Sequence, residues 1–168
     1  GDQIMGIVGV HMRDQGKLKK DTIVATVMSN LGFFKMGERE HLNLEQTKVG
    51  DRYVLERMRE IGASLGGEQS GHIIFLDENT TGDGLLSALH LLDTKKPLSE
   101  LAKVMTVMPQ ALINAKVPNH KKDRYMEYPE IAKAIEELNA KFAGDGRVLI
   151  RPSGTEPKVR VMIEGKDQ

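Results

Sequence analysis

Two short stretches bring together residue types that can do chemistry. The first is Arg151-Pro152-Ser153-Gly154-Thr155-Glu156-Pro157, set between two apolar, alternating runs. Pro152 and Pro157 push the residues before them, Arg151 and Glu156, toward extended backbone and so stiffen the loop from within. Between them Gly154 is free to take a positive φ, and the consecutive amides of Ser153, Gly154 and Thr155 can then curl around an anion. The Ser153 and Thr155 hydroxyls add donors, and Arg151 adds a planar fork that matches two phosphate oxygens. Alternation along the outgoing run puts Lys158 and Arg160 on one face and Val159, Val161 and Ile163 on the other, so two more cations border the same pocket. Phosphate binding fits these residues. A proline-stiffened turn whose hydroxyls satisfy its own backbone fits them too. No histidine or other obvious general base lies beside Ser153 or Thr155 in the sequence, and an arginine-rich surround suits holding charge better than making a nucleophile.

The second stretch is Gly66-Gly67-Glu68-Gln69-Ser70-Gly71-His72, ahead of the apolar run "IIFL". Its glycines free the backbone on both sides of the polar residues. In an extended run Glu68 and Ser70 share a face, and a carboxylate with a neighbouring hydroxyl is suited to clamp adjacent sugar hydroxyls. A hairpin loop with its polar residues in solvent accounts for the same sequence. His72 is a candidate for proton transfer, or a structural histidine leading into a strand.

Composition limits what else the chain can be. Its 168 residues fit one domain or two small ones on the rough scale of about 100 to 200 residues per domain. Acidic and basic residues balance at 24 each, which argues against a broad footprint for nucleic acid or an anionic membrane, so any anion site must be local. Absence of cysteine excludes disulfides, thiolate zinc sites and a cysteine nucleophile. Asp2, His11 and Arg13 interrupt the apolar N-terminal residues, which therefore read as neither a signal peptide nor a membrane span. A reducing, cytoplasmic setting is the simplest expectation.

The elements that must position the two stretches follow from periodicity. Ile4, Met5, Ile7, Val8 and Met12 recur at helical spacing, and "TIVATVM" (22–28) is the β-branched run that a buried strand needs. "FFKMGERE" reads as helix and "LNLEQTKV" as extended. In "DRYVLERMREIG" (51–62) Asp51 is placed to cap a helix whose face is Val54, Leu55, Met58 and Ile61, with Gly62 as its left-handed close. "SLGGEQSGHIIFLD" reads as strand, glycine turn and strand. Thr80, Thr81 and Asp83 are capping candidates for the helix "GDGLLSALHLLDTKK", and Pro97 opens a second helix, "PLSELAKVM". After Pro109 come a strand "ALINAKV", a polar loop and the helix "PEIAKAIEELNAKF". Ile131, Ala134, Ile135, Leu138 and Phe142 give that helix an apolar stripe, and "GDG" (144–146) ends it. Met5, Met12, Met58 and Met105 sit at apolar helix positions and read as core. The expected class is α/β, with a mixed α/β domain over residues 1–109 and a small α+β domain over 110–168.

"GGEQSGH" followed by "RPSGTEPKVRVM", with the flanks "GDQIM", "TVMSNLGF", "VGDRYV", "TTGDGLLSAL" and "KKPLSELA", resembles the C-terminal half of the α-D-phosphohexomutases over nearly the whole chain. Gln69 favours the branch that acts on glucosamine phosphates. The resemblance implies a four-domain isomerase that interconverts glucosamine 6-phosphate and glucosamine 1-phosphate for cell-wall amino-sugar synthesis. It works through a phosphoserine in the first domain, a bisphosphate intermediate and Mg²⁺ on an aspartate loop of the second. It also implies that Glu68 and Ser70 recognise sugar hydroxyls and that His72 lies close to the reacting centre. Arg151, Ser153, Gly154 and Thr155, with Arg160 beside them, would hold the phosphate that is not being transferred, in a last domain of TATA-box-binding-protein-like fold.

The chain departs from that family's pattern in two places. Ser29 sits in "MSNLG" and not in the family's serine motif, and no Asp-x-Asp-x-Asp loop occurs, since Asp83 and Asp145 stand alone between glycines. The expectation is a fragment that begins at the end of the second domain, holds the third and most of the fourth, lacks a final helix over its last sheet, carries no Mg²⁺ ligands and does not turn over alone. Its partners would be a hexosamine phosphate and the missing N-terminal domains of the same enzyme, with a homodimer allowed in the parent. The alternatives are a non-catalytic sugar-phosphate-binding module, or a relative acting on glucose or mannose phosphates.

Overall fold

In a computed structural model, residues 1–142 and 146–166 are described. They form two compact units, Gly1–Val107 and Met108–Gln168. The first unit is built on a four-stranded sheet of order β2-β1-β3-β4, from β1 (Thr22–Thr26), β2 (Asn43–Thr47), β3 (Leu65–Gly67) and β4 (Ile73–Phe75). β1 pairs in parallel with β2 on one side and β3 on the other, and β4 closes the sheet antiparallel to β3. Every residue of β1 is buried. That is why "TIVAT" is a continuous β-branched run with no polar alternation: both faces of the strand are covered.

Period-two geometry sends alternate residues of β1 into different cores. Ile23 and Ala25 join Met5, Val8 and Met12 of α1 (Asp2–Asp14) with Phe33 and Met36 of α2 (Leu31–Arg39). Val24 joins Val54 and Met58 of α3 (Asp51–Ile61) on the opposite face. Each fully buried aliphatic side chain here contributes roughly 1.5–3 kcal/mol. Met5, Met12 and Met58 lie in the core on helices, as the spacing predicts; Met105 is buried too, but in extended backbone after the 3₁₀ turn and not on a helix.

The helix ends show where local signals act and where they do not. Asn30 caps α2, its side-chain oxygen accepting from the Gly32 amide at 2.9 Å, and Asp83 caps α4 (Gly84–Asp93) by accepting from the Leu86 amide at 3.0 Å. Gly62 closes α3 at φ 73°, as its position predicts. Asp51 does not cap α3. Gly50 is the cap residue, and the Asp51 carboxylate turns back onto the amide of its neighbour Arg52 at 2.8 Å. "PLSELAKVM" is shorter than its spacing suggests: Pro97 precedes a single turn, α5 (Leu98–Leu101), before the chain tightens into a 3₁₀ turn over Ala102–Val104.

The second unit is an antiparallel sheet of order β5-β7-β6, from β5 (Gln110–Lys116), β6 (Gly146–Pro152) and β7 (Lys158–Gly165). The polar loop carries one turn of helix, α6 (Asn119–Lys122), and α7 (Pro129–Phe142) follows it. Ile135, Leu138 and Phe142 of α7 are half-buried while Ile131 and Ala134 are exposed, so the inward stripe is narrower than the sequence spacing implies. Every residue of β5 is exposed. Gly144 and Asp145 of the expected helix stop lie outside the described residues. No helix among the described residues is long and apolar enough to cross a membrane.

Gly66, in the middle of β3, tests how tightly the first sheet is packed. A Cβ there would lie 2.8 Å from the Val24 carbonyl oxygen and 2.7 Å from the Met58 sulfur. The strand carbonyl cannot swing away as a side chain would, so Gly66→Ala should destabilise by roughly 1–3 kcal/mol, the usual range for overpacking. Urea unfolding measures this, and an unchanged midpoint would contradict the packing.

Candidate functional site

The first stretch of interest joins β3 to β4. Gly67 pairs with Ile73, so the chain must reverse within residues 68–72. The reversal is a tight turn: the Gly71 amide donates to the Glu68 carbonyl at 3.0 Å, the Glu68 amide donates to the His72 carbonyl at 2.9 Å, and Gly71 takes φ 104°. Glu68 and Ser70 therefore do not share an extended face. Hairpin closure overrides the alternation that would have put them there.

The polar residues of this turn are treated differently. Glu68 is only 9% exposed, and its Oε1 accepts from the backbone amide of Gly50 at 2.9 Å. Oε2 takes no hydrogen bond from the described residues and is not sealed from solvent. Gln69 accepts from the Thr26 hydroxyl at 3.4 Å, which ties the turn to the end of β1. Ser70 and His72 are exposed, with the Ser70 hydroxyl 3.3 Å from Nδ1 of His72. One fixed carboxylate with a free acceptor oxygen, beside an exposed hydroxyl and imidazole, is chemistry suited to neutral hydroxyl groups.

The second stretch joins β6 to β7. The register sets Arg151 of β6 directly opposite Arg160 of β7, and Asn114 of β5 opposite Arg160 on its other side. Like charges face to face across a ladder are unfavourable. Glu156 relieves part of this: it accepts from Lys158 at 2.7 Å and from Arg160 at 3.0 Å, and those two cations, Lys158 first, hold its carboxyl below the usual glutamate range. Arg151 has no carboxylate partner among the described residues. The Nε atoms of Arg151 and Arg160 are both buried without a hydrogen-bond partner. Burial, and then the charge of Arg160, lower the pKa of Arg151, although a guanidinium remains charged at any physiological pH. The loop thus carries more positive charge than the protein around it neutralises.

Its amides divide into two sets. Ser153 is buried, its amide donates to the Lys158 carbonyl at 2.8 Å, and its hydroxyl accepts from the Glu156 amide at 3.2 Å. Lys122, on the polar loop, donates to the Ser153 carbonyl at 2.6 Å. Gly154 and Thr155 are exposed, and neither their amides nor the Thr155 hydroxyl has an acceptor among the described residues. Gly154 is not in the left-handed region, and a Cβ on it would meet nothing within 4 Å. The expected three-amide nest is thus corrected to two open amides, with Ser153 holding the loop in shape. Among the described residues, no group of three or more His, Asp and Glu side chains could hold a metal ion.

Gly50, Lys122 and Glu156 take roles the sequence reading did not assign. Lys122 lies in a polar loop with no local signal. Glu156 stands two and four residues before Lys158 and Arg160, and that spacing is the signal for its pairing with them. Gly50 stands in "VGDRYV", where only its neighbour Asp51 drew a role.

Two family models account for nearly all of the chain: "Phosphoglucomutase/phosphomannomutase, alpha/beta/alpha domain III" over residues 1–108 and "Phosphoglucomutase/phosphomannomutase, C-terminal domain" over residues 112–168. The phosphoglucosamine mutase of Ruminiclostridium cellulolyticum is 62% identical over 100% of this chain, and that of Clostridium novyi is 58% identical. The chain spans 38% of the length of each of these relatives. Among solved structures, Aspergillus fumigatus N-acetylphosphoglucosamine mutase, in complex with GlcNAc-6P and magnesium, superposes with a TM-score of 0.76 at 19% identity. The match covers 99% of this chain and 43% of that one, a likeness of fold.

The pairing around Glu156 has a signature in acid. Its lowered pKa means the favourable pairing is fully present above the ordinary glutamate range and is lost as pH falls through the depressed value. A carboxyl-carbon NMR titration should find the Glu156 midpoint below that of an ordinary glutamate. Lys158→Met should raise it more than Arg160→Met, because the Lys158 contact is the larger cause. An unshifted midpoint would exclude the pairing.

Proposed function

Because this chain belongs to the phosphoglucomutase/phosphomannomutase family, we propose that it is the sugar-recognising and phosphate-holding part of a longer phosphoglucosamine mutase, an isomerase of glucosamine 6-phosphate and glucosamine 1-phosphate. On this reading residues 1–109 recognise the sugar and residues 110–168 grip the phosphate that stays in place. The observation that carries it is Arg151: a partly buried cation set against a second arginine, with no carboxylate partner among the described residues, beside the two open amides of Gly154 and Thr155. A phosphate near neutral pH brings about 1.5 to 2 negative charges and strong acceptor oxygens, which such a loop is short of.

Each residue then has a defined task. Arg151 donates to phosphate oxygens, and the Gly154 and Thr155 amides with the Thr155 hydroxyl complete the grip. Ser153 shapes the loop and keeps one hydroxyl proton to donate, while Arg160 supplies charge from the next strand. Glu68 accepts from sugar hydroxyls through Oε2, Ser70 adds a second contact, and His72 stands where it can hold a proton. Because phosphoryl transfer depends chiefly on positioning and charge stabilisation, holding the spectator phosphate and the sugar ring aligns the hydroxyl that reacts. Mg²⁺ supplies charge neutralisation in such chemistry, but the side chains described here do not fit it. This chain's contribution is binding and orientation. The phosphoserine and metal ligands that the family resemblance implies fall, on this reading, in the part of the relatives' length that the chain does not span.

Calorimetric titration with glucosamine 6-phosphate, glucosamine and inorganic phosphate tests the assignment. Arg151→Ala should weaken glucosamine 6-phosphate by up to a few kcal/mol, the scale of a charged hydrogen-bonded contact, and leave unphosphorylated glucosamine unchanged. Equal affinity of both proteins for the sugar phosphate would remove Arg151 from the site. The purified chain should show no turnover of glucosamine 6-phosphate, and measurable conversion would overturn the division of labour.

A further inference from the structure

Glu68 can serve as an acceptor for sugar hydroxyls only if its carboxylate stays turned toward them, and the turn that carries it does not by itself fix a flexible side chain. What fixes it lies outside the turn. The Gly50 amide, between β2 and α3, donates to Oε1 at 2.9 Å. Gly50 sits at φ 129° and ψ 128°, a conformation that L side chains rarely adopt. A Cβ there would also meet the Tyr53 ring at 3.3 Å. The same residue starts α3, its carbonyl accepting from the Tyr53 amide at 3.0 Å and the Val54 amide at 3.3 Å, so its orientation is set by the helix. Gly50 therefore aims an amide at one carboxylate oxygen, and the other oxygen carries no partner among the described residues.

We propose that Gly50 is a positioning residue for sugar recognition: its amide locks one oxygen of Glu68 so that the other is presented to the hydroxyls of the hexosamine ring. This rests on the assignment of Glu68 to sugar binding made above. Glycine suits this position because the amide meets the carboxylate from a backbone conformation that L side chains rarely adopt.

The test uses the isotope-labelled 168-residue chain, with glucosamine 6-phosphate and inorganic phosphate as probes and amide shifts as the readout. In the unmodified chain the Gly50 amide should exchange slowly with solvent, and Glu68→Ala should speed that exchange; an unchanged rate overturns the proposal without relying on any change at Gly50. Gly50→Ala should weaken glucosamine 6-phosphate about tenfold, the scale of one charge-assisted hydrogen bond, with inorganic phosphate unaffected. Glu68→Gln keeps an oxygen for Gly50 but loses the free acceptor, so it should weaken the sugar phosphate as well. If Gly50 acts through Glu68, Gly50→Ala should add no further loss in the Glu68→Gln background. Losses that multiply, or a Gly50→Ala chain that binds as before, would overturn the proposal. Failure of the unmodified chain to bind glucosamine 6-phosphate, or a Glu68→Gln chain that binds normally, would instead sink the assignment of Glu68 itself.

Discussion

Burial of β1 on both faces is the constraint on which the first unit depends. A strand with every residue covered must have helices on both sides, and α1 and α2 on one face with α3 on the other meet that demand. Parallel pairing with both β2 and β3 then brings the C-terminal ends of these three strands to one edge of the sheet. The Gly50 and Glu68 segments both leave from that edge, which is where α/β sheets offer room for a ligand. The hydrogen bond between them is thus a consequence of strand order.

In the second unit the governing feature is electrostatic. Register puts Arg151 and Arg160 face to face, and the Glu156 carboxylate is taken by Lys158 and Arg160. A chain with balanced total charge can still carry a strongly cationic loop, because neutralisation acts over a few ångströms. Ser153 illustrates how the loop divides its polar groups: the most buried of its hydroxyls is bound to the loop's own backbone, and the exposed residues beside it are left open.

The two units read from sequence with different success. Helix and strand types were legible wherever one face is apolar, and the mixed sheet of the first unit was visible as a run of buried strand alternating with amphipathic helix. Helix ends were legible where the cap is a local side chain, as at Asn30 and Asp83, although only Asp83 had been assigned that role. Asp51 misled because its side chain competes with its own backbone and because the true partner of the α3 entrance, Glu68, is distant in sequence. α7 has an apolar stripe whose Ile131 end faces solvent, which shows that spacing alone cannot say how much of a face is covered.

The sequence by itself determined which residues carry the chemistry proposed for holding phosphate and sugar, because that depends on residue type: a guanidinium, small residues in a loop, a carboxylate beside a hydroxyl. It also determined the family, through the order of two motifs and their flanks. Tertiary structure decided how many of those groups remain available. Whether an amide is open or bonded at home, as for Gly154 against Ser153, depends on which carbonyl a neighbouring strand presents. Whether Glu68 and Ser70 share a face depends on where the hairpin closes. These are contacts between residues brought together by strand register and packing, and local propensity carries no information about them.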